Sequence, residues 1–181
     1  MTDEHAAVRP LLRVHQVREF LVDAPLTAGQ LDAIADAARW SGSSQNAQPW
    51  RFITVEDRDA LRAIAEAGLP QTRSLQSAAA AIAIAMPVIE GRAVSLAYDE
   101  GRAAERILVD ATLLELGAGI AWLTGDARAA AARRLGVPEG WMVRTVVALG
   151  HLTASARRRK APAGEARRPR EESVHRERWP A

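Results

Sequence analysis

Ala78–Met86 carries no polar side chain, and from Ala81 onward alanine alternates with isoleucine until Met86 and Pro87 close the run. Such a stretch falls far short of the ~20 apolar residues that a bilayer span needs. Its period of two and its β-branched residues predict a buried strand. Two more apolar runs, Ile120–Leu123 and Val143–Leu149, predict further buried strands, and β-rich Arg51–Val55 predicts another. Segments with helical spacing lie between them. Thr27 and Gln30 make a capping-box pattern ahead of Leu31, Ile34, Ala35 and Ala38, so residues 28–40 should be an amphipathic helix. Asp57 is placed to cap a helix over Arg58–Ala67 that Gly68 stops. Helical periodicity over residues 99–116 runs through Ala103, Ile107, Ala111 and Leu114 and ends at Gly117, and Asp126 should cap a short helix ended by Gly136. Helices outnumber strands, and the strands come at irregular intervals. The expected class is therefore α+β rather than a strict βαβ alternation.

A length of 181 residues suits one domain with a substantial core. Cysteine is absent, which excludes disulfides, a thiolate nucleophile and cysteine metal sites. Met1–His5 has no basic segment followed by an apolar one, and the apolar stretch Ile107–Leu123 is broken by Asp110 and Glu115. A soluble, cytoplasmic protein that meets no membrane is expected. The net charge is only +2 although the pI is about 9.9. Of the 24 basic residues, 23 are arginine and only Lys160 is lysine, and arginine stays protonated at high pH. Arg157-Arg158-Arg159-Lys160 and Arg167-Arg168-Pro169-Arg170 concentrate this charge late in the chain. From Thr153 the periodicity dissolves, which divides the chain into a domain over 1–152 and a basic tail over 153–181. The tail's last stretch, Glu171–Trp179, mixes charge with Val174 and Trp179, as a segment docking on the domain or on a partner subunit would.

Between the first helix and the first strand stands Ser43-Ser44-Gln45-Asn46-Ala47-Gln48-Pro49-Trp50. A core would not tolerate these hydroxyls and amides unpaired, since each buried unsatisfied polar group costs about 1–3 kcal/mol. The run is either a solvated turn or a wall for a flat polar ligand; Trp50 fits core filling in both cases. Other signals are weaker. Gly117-Ala118-Gly119 follows a helix and opens a strand, the reverse of a phosphate-cradling glycine loop, so tight packing at a helix end is the better reading. His5, His15, His151 and His175 are scattered without metal-ligand spacing. Ser43 and Ser44 lack the Gly-x-Ser-x-Gly setting of a nucleophile elbow.

Ser43-Ser44-x-Asn46-x-Gln48-Pro49-Trp50, with Arg18-x-Phe20 upstream, resembles the FMN-dependent nitroreductases. The likeness continues through Asp99-x-Gly101, Leu116-Gly117, Ile120–Leu123, Gly136-Val137-Pro138, Val146–Gly150 and the closing Glu171–Trp179, and so covers nearly the whole chain. It implies a three-layer α/β/α fold around a mainly antiparallel sheet, and a homodimer with two FMN sites at the subunit interface. It also implies hydride transfer from NADH or NADPH to flavin N5 and onward reduction of a small-molecule acceptor, a nitroaromatic, quinone or similar compound, in a ping-pong sequence. No protein acid or base is then needed, because the cofactor carries the chemistry. By that resemblance Arg18 supplies a cation toward flavin N1 and O2, Arg73 is either a second such cation or a solvated helix charge, and Ser43, Ser44 and Asn46 contact the flavin edge and ribityl chain, with Gln48 supporting that wall. Trp122, Leu123, Thr124 and Gly125 run past N5, where the backbone N–H groups of Thr124 and Gly125 are the candidate partners, and Gly101 falls in a further matching motif.

Two departures stand out. Val14 and Gln16 occupy positions where the family has the Arg and Ser that bind the FMN phosphate, which leaves Arg13, His15, Gln16 and the tail residues Arg167 and Arg168 as substitutes. Gly42 replaces a proline before Ser43, which predicts a looser loop. A binding protein that keeps the fold, holds a flavin or another planar ligand, and performs no redox turnover stays open as an alternative. A nucleic-acid binder using the arginine-rich tail is disfavoured by the small net charge and the lack of interleaved aromatics. The short stretch between Pro87 and Tyr98 predicts a short substrate lid and an open site.

Overall fold

The computed structural model describes residues 3–157 and 167–179, so Arg158, Arg159 and Lys160 of the basic run lie outside the described residues. The elements follow as α1 (Asp3–Val8), α2 (Ala28–Arg39), β1 (Arg51–Val55), α3 (Arg58–Glu66), β2 (Ala80–Pro87), α4 (Ala93–Leu113), β3 (Gly117–Trp122), α5 (Gly125–Leu135), β4 (Trp141–Gly150) and α6 (Arg170–Ser173). The four strands form one sheet in the order β1-β2-β4-β3, with every neighbouring pair antiparallel. None of the helices is long and apolar enough to cross a membrane among the described residues.

The alternation in β2 places its side chains on two faces. Ala81, Ala83 and Ala85 join a core with Leu61, Ile64, Ala127 and Ala131 of α3 and α5. Ile82, Ile84 and Met86 join a second core with Leu31 and Ile34 of α2 and Leu96, Ile107 and Leu108 of α4. The sheet is therefore sandwiched between two helical layers, the three-layer α/β/α arrangement implied by the resemblance. Trp50 belongs to the second core at 4% exposure, so it is core filling at the end of the polar run.

Helix starts followed local chemistry. Thr27 and Gln30 form the reciprocal capping box ahead of α2, and the Asp57 carboxylate accepts from the N–H groups of Asp59 and Ala60 ahead of α3. Strand ranges shift by one to three residues, β3 beginning at Gly117 rather than Ile120, and α2 and α3 each end one residue early; three further boundaries differ more tellingly. α4 begins at Ala93, so Asp99 and Glu100 sit six residues inside it and are buried, because they find partners on neighbouring elements. The same helix ends through Glu115 at φ 59°, and Gly117 is already strand. Thr124, not Asp126, holds the cap position of α5.

Gly117, Gly119 and Gly150 form a seat for the N-terminal segment. A Cβ on Gly119 would overlap the Val17 carbonyl oxygen, and a Cβ on Gly150 would lie 2.8 Å from Phe20 Cβ. Val17 N–H donates to the Ala118 carbonyl at 2.8 Å, and Phe20 forms an antiparallel bridge with Leu152. Residues 16–20 thereby cover the outer edge of β3, which would otherwise present unpaired backbone groups.

Candidate functional site

Most of the sequence-predicted residues fall into two groups, with Gly101 on α4 and Arg167 and Arg168 on the tail outside them. The first lies along the covered edge of β3. Gln16 bridges to Ala118, and its Oε1 accepts from the Ile120 N–H at 3.3 Å, leaving the amide nitrogen as a donor. Arg13 and His15 are exposed just before it, with the His15 Nδ1 bound to the Arg13 carbonyl at 2.9 Å. Arg18 is exposed between the anchored residues Val17 and Phe20. Arg73 is exposed on a short 3-10 turn, Arg73–Gln76, whose next residue Ser74 is buried and packs toward Gly119. Where β3 ends, Trp122 is 45% exposed while Leu123 is fully buried. Thr124 is extended, and Gly125 turns into α5 at φ 47°, a conformation that favours glycine. Among the described residues, the N–H groups of Thr124 and Gly125 find no acceptor.

The polar loop is the second group. Gln45, Asn46 and Gln48 all adopt positive φ, at 54°, 53° and 46°. Three non-glycine residues in that region within four positions mark a loop held by its surroundings rather than by its own preference. The restraints are visible. Ser43 Oγ accepts from the Gln48 N–H at 2.9 Å, Gln48 Nε2 donates to Asn46 Oδ1 at 3.3 Å, and the Ser44 N–H donates to the Asp99 carboxylate at 3.1 Å. The Arg102 guanidinium of α4 lies where a Cβ on Gly42 would be, so a side chain there would displace the arginine.

The two groups are linked by residues that sequence reasoning missed. β2 and β4 slip register between Ile84 and Ala85, whose partners are Thr145 and Val143, which makes Arg144 the extra residue of a β-bulge. Bulges re-aim side chains, and here Arg144 turns to α4, where its Nε donates to Glu100 Oε2 at 3.0 Å and its Nη2 also reaches that oxygen. The Arg144 guanidinium carbon lies 5.3 Å from the centre of the Trp122 ring. Adjacent carboxylates on α4 thus serve different walls: Asp99 holds the polar loop, and Glu100 holds Arg144 and through it Trp122. A lone arginine inside the apolar run Trp141–Gly150 was the available sequence signal.

A groove of about 970 Å³ runs along the outer face of α4, lined by Gly42, Tyr98, Gly101, Arg102, Arg106 and Asp110 among others. Val94 and Tyr98 are each 73% exposed there. Asp110 Oδ2 is buried without a hydrogen-bond partner among the described residues. Burial pushes the Asp110 carboxyl above its ordinary value near 3.8, with Arg106 partly offsetting the rise. A folded-state pKa above the unfolded one stabilises the fold below the unfolded value and is lost as pH rises through the folded one. Asp110→Asn is therefore expected to melt higher than the parent at neutral pH, with the advantage vanishing below about pH 4. Paired thermal melts across that range check this, and an equal or lower Tm for the variant at neutral pH contradicts it.

Arg167 and Arg168 lie on the exposed segment leading into α6, and beyond that helix His175 and Trp179 pack their rings 5.2 Å apart. Trp179 remains 82% exposed.

Comparison with known proteins narrows what this arrangement belongs to. The model of the Nitroreductase family matches residues 15–100, a span that holds Gln16, Arg18, the polar loop, Arg73, Asp99 and Glu100. An Archaeoglobus fulgidus protein carrying the provisional name NADH dehydrogenase/NAD(P)H nitroreductase is 35% identical over 135 residues, covering 71% of this chain and 76% of the relative. A Parabacteroides distasonis crystal structure with the same provisional name superposes at TM-score 0.78 and 25% identity, covering 96% of this chain and 99% of that one. The Clostridium difficile FMN-dependent nitroreductase gives 0.79 at 21% identity over 94% of this chain and 98% of that one. The Vibrio harveyi NADPH:FMN oxidoreductase, solved with NAD+, gives 0.79 at 21% over 96% and 78%. The motif order, the three-layer fold and the extent of these matches agree: this chain belongs to the nitroreductase family.

Proposed function

We propose that the protein is an FMN-dependent NAD(P)H oxidoreductase. The observation that carries the reading is the pair of N–H groups at Thr124 and Gly125, unengaged among the described residues, at the turn from β3 into α5, with Gln16 and Arg18 in the segment that covers the edge of β3. When bound, the flavin supplies the chemistry, accepting hydride at N5 and passing electrons to a nitroaromatic, quinone or similar acceptor in a ping-pong sequence. The protein's part is to bind, orient and stabilise charge. Backbone donors from Thr124 and Gly125 suit N5, and the guanidinium groups of Arg18 and Arg73 favour the negative charge of a reduced ring. Ser43, Ser44, Asn46 and Gln48 form a preordered hydrogen-bonding wall, and Gly101 leaves α4 bare beside it. At the phosphate end Val14 packs partly against the core, so charge there would come from Arg13, His15 or the tail arginines Arg167 and Arg168, with the neutral Gln16 amide as a hydrogen-bond donor.

The exposed apolar residues of the α4 groove support a homodimer with FMN at the subunit interface, the basic tail docking on the domain or across to the partner. The five residues 88–92, ahead of α4, leave the substrate side open.

Reconstitution tests the reading. The full chain mixed with FMN should bind it, turn yellow and bleach on anaerobic addition of NADH or NADPH. A chain that binds no FMN removes the enzyme reading. FMN held but unreduced by either donor favours the second reading, a non-redox flavin- or planar-ligand-binding protein, which the altered phosphate positions Val14 and Gln16 support.

A further inference from the structure

We propose that Arg128 is a positioning residue that sets the direction and donor strength of the Thr124 N–H. The inference rests on the flavin reading above and adds to it a residue outside the predicted site. Arg128 lies in the first turn of α5 and its Nε donates to the Leu123 carbonyl oxygen at 2.8 Å. That oxygen and the Thr124 N–H belong to one planar trans peptide and point in opposite directions. Fixing the oxygen therefore fixes the N–H. The bond is also charge-assisted, and withdrawing density at a peptide oxygen polarises the N–H on the other side.

The peptide is held from behind as well. The Leu123 N–H donates to the Arg144 carbonyl at 2.8 Å, at the bulge, and the Leu123 side chain is fully buried. Leu123 is tethered through its donor, its acceptor and its side chain, while Thr124 immediately after it is exposed with its N–H unengaged among the described residues. A residue so constrained, followed by one so free, is what a presented hydrogen-bond donor requires. The partial positive charge at the N-terminus of the 11-residue α5 acts in the same direction.

Arg128→Met keeps the side-chain volume without a donor, and Arg128→Lys keeps the charge. In the FMN-free full chain, the Thr124 amide nitrogen resonance should shift upfield in Arg128→Met beyond any change at surrounding residues, and return toward the parent value in Arg128→Lys. With FMN bound, the limiting rate of flavin reduction at saturating NAD(P)H should fall roughly tenfold in Arg128→Met, less than the about 100-fold or more lost when a preorganised donor is removed outright. FMN affinity and the NAD(P)H KM should stay within about twofold, with Arg128→Lys recovering most of the rate. If Arg128→Met does not fold, Arg128→Gln, a neutral donor, should give an intermediate resonance shift and rate. An unmoved Thr124 resonance overturns the proposal, as does a loss of rate that tracks FMN affinity and is equal in the lysine variant. A parent chain that binds no FMN overturns the flavin reading itself; a competent parent with an indistinguishable Arg128→Met variant overturns this proposal alone.

Discussion

Gly119→Ala is expected to destabilise the protein by about 3 kcal/mol, from overpacking and the strained or lost hydrogen bond beside it. The new Cβ meets backbone, the Val17 carbonyl oxygen, and not the movable end of a side chain. Relief requires residues 16–20 to move off β3, which weakens the Val17 to Ala118 hydrogen bond and uncovers the strand edge. The same movement displaces Gln16 and Arg18, so FMN affinity should fall together with stability. Urea unfolding and FMN titration of the one variant check both outcomes. Gly101→Ala is the internal control: nothing lies within 4 Å of a Cβ built there, and alanine in a helix interior gains up to ~1 kcal/mol over glycine. A Gly119→Ala variant as stable as the parent would show that the N-terminal segment is not seated on β3.

Arg144→Met should cost about 3–5 kcal/mol, because it strands the Glu100 carboxylate in the interior. The Glu100 side chain is 3% exposed and that of Arg144 18%, and Glu100 Oε1 already has no hydrogen-bond partner among the described residues. Removing the guanidinium takes away the charge that compensates the buried carboxylate. Replacing both residues, Arg144→Met with Glu100→Met, should recover most of the loss, since an apolar pair of similar volume avoids burying charge. The test is the unfolding free energy of both single variants and the double. Additive losses in the double variant would show that the two side chains do not act as a pair. The Trp122 ring also loses its cation neighbour, so the double variant is expected to be stable yet altered in the Trp122–Gly125 segment.

Some of this molecule was readable from the residues because the causes are local. A capping box needs only Thr27 and Gln30, three positions apart, and an Asp57 cap needs only the two N–H groups that follow it. Strand periodicity in β2 is likewise written in consecutive residues, and the polar loop was recognisable because five hydroxyl or amide side chains stand together before Pro49. Boundaries were less legible. α4 begins six residues before its predicted start, and the partners of its buried Asp99 and Glu100, the Ser44 N–H and Arg144, lie on other elements. The space that Gly42 leaves for Arg102 was not legible, because its sequence neighbours say nothing about that arginine lying against it.

The residues alone determined the class of fold and the approximate elements, since each depends on spacing within a short stretch of chain, while the candidate walls of the site came from the family resemblance. The three-dimensional arrangement decided what joins those walls. Gln16 meets Ile120 across 104 positions, Glu100 meets Arg144 across 44, and Ser44 meets Asp99 across 55. The glycines at 117, 119 and 150 have their use only once Val17 and Phe20 arrive from the far end of the chain. A bulge at Arg144 depends on the register of β4 against β2, and register is a property of two paired strands that neither strand's own sequence states.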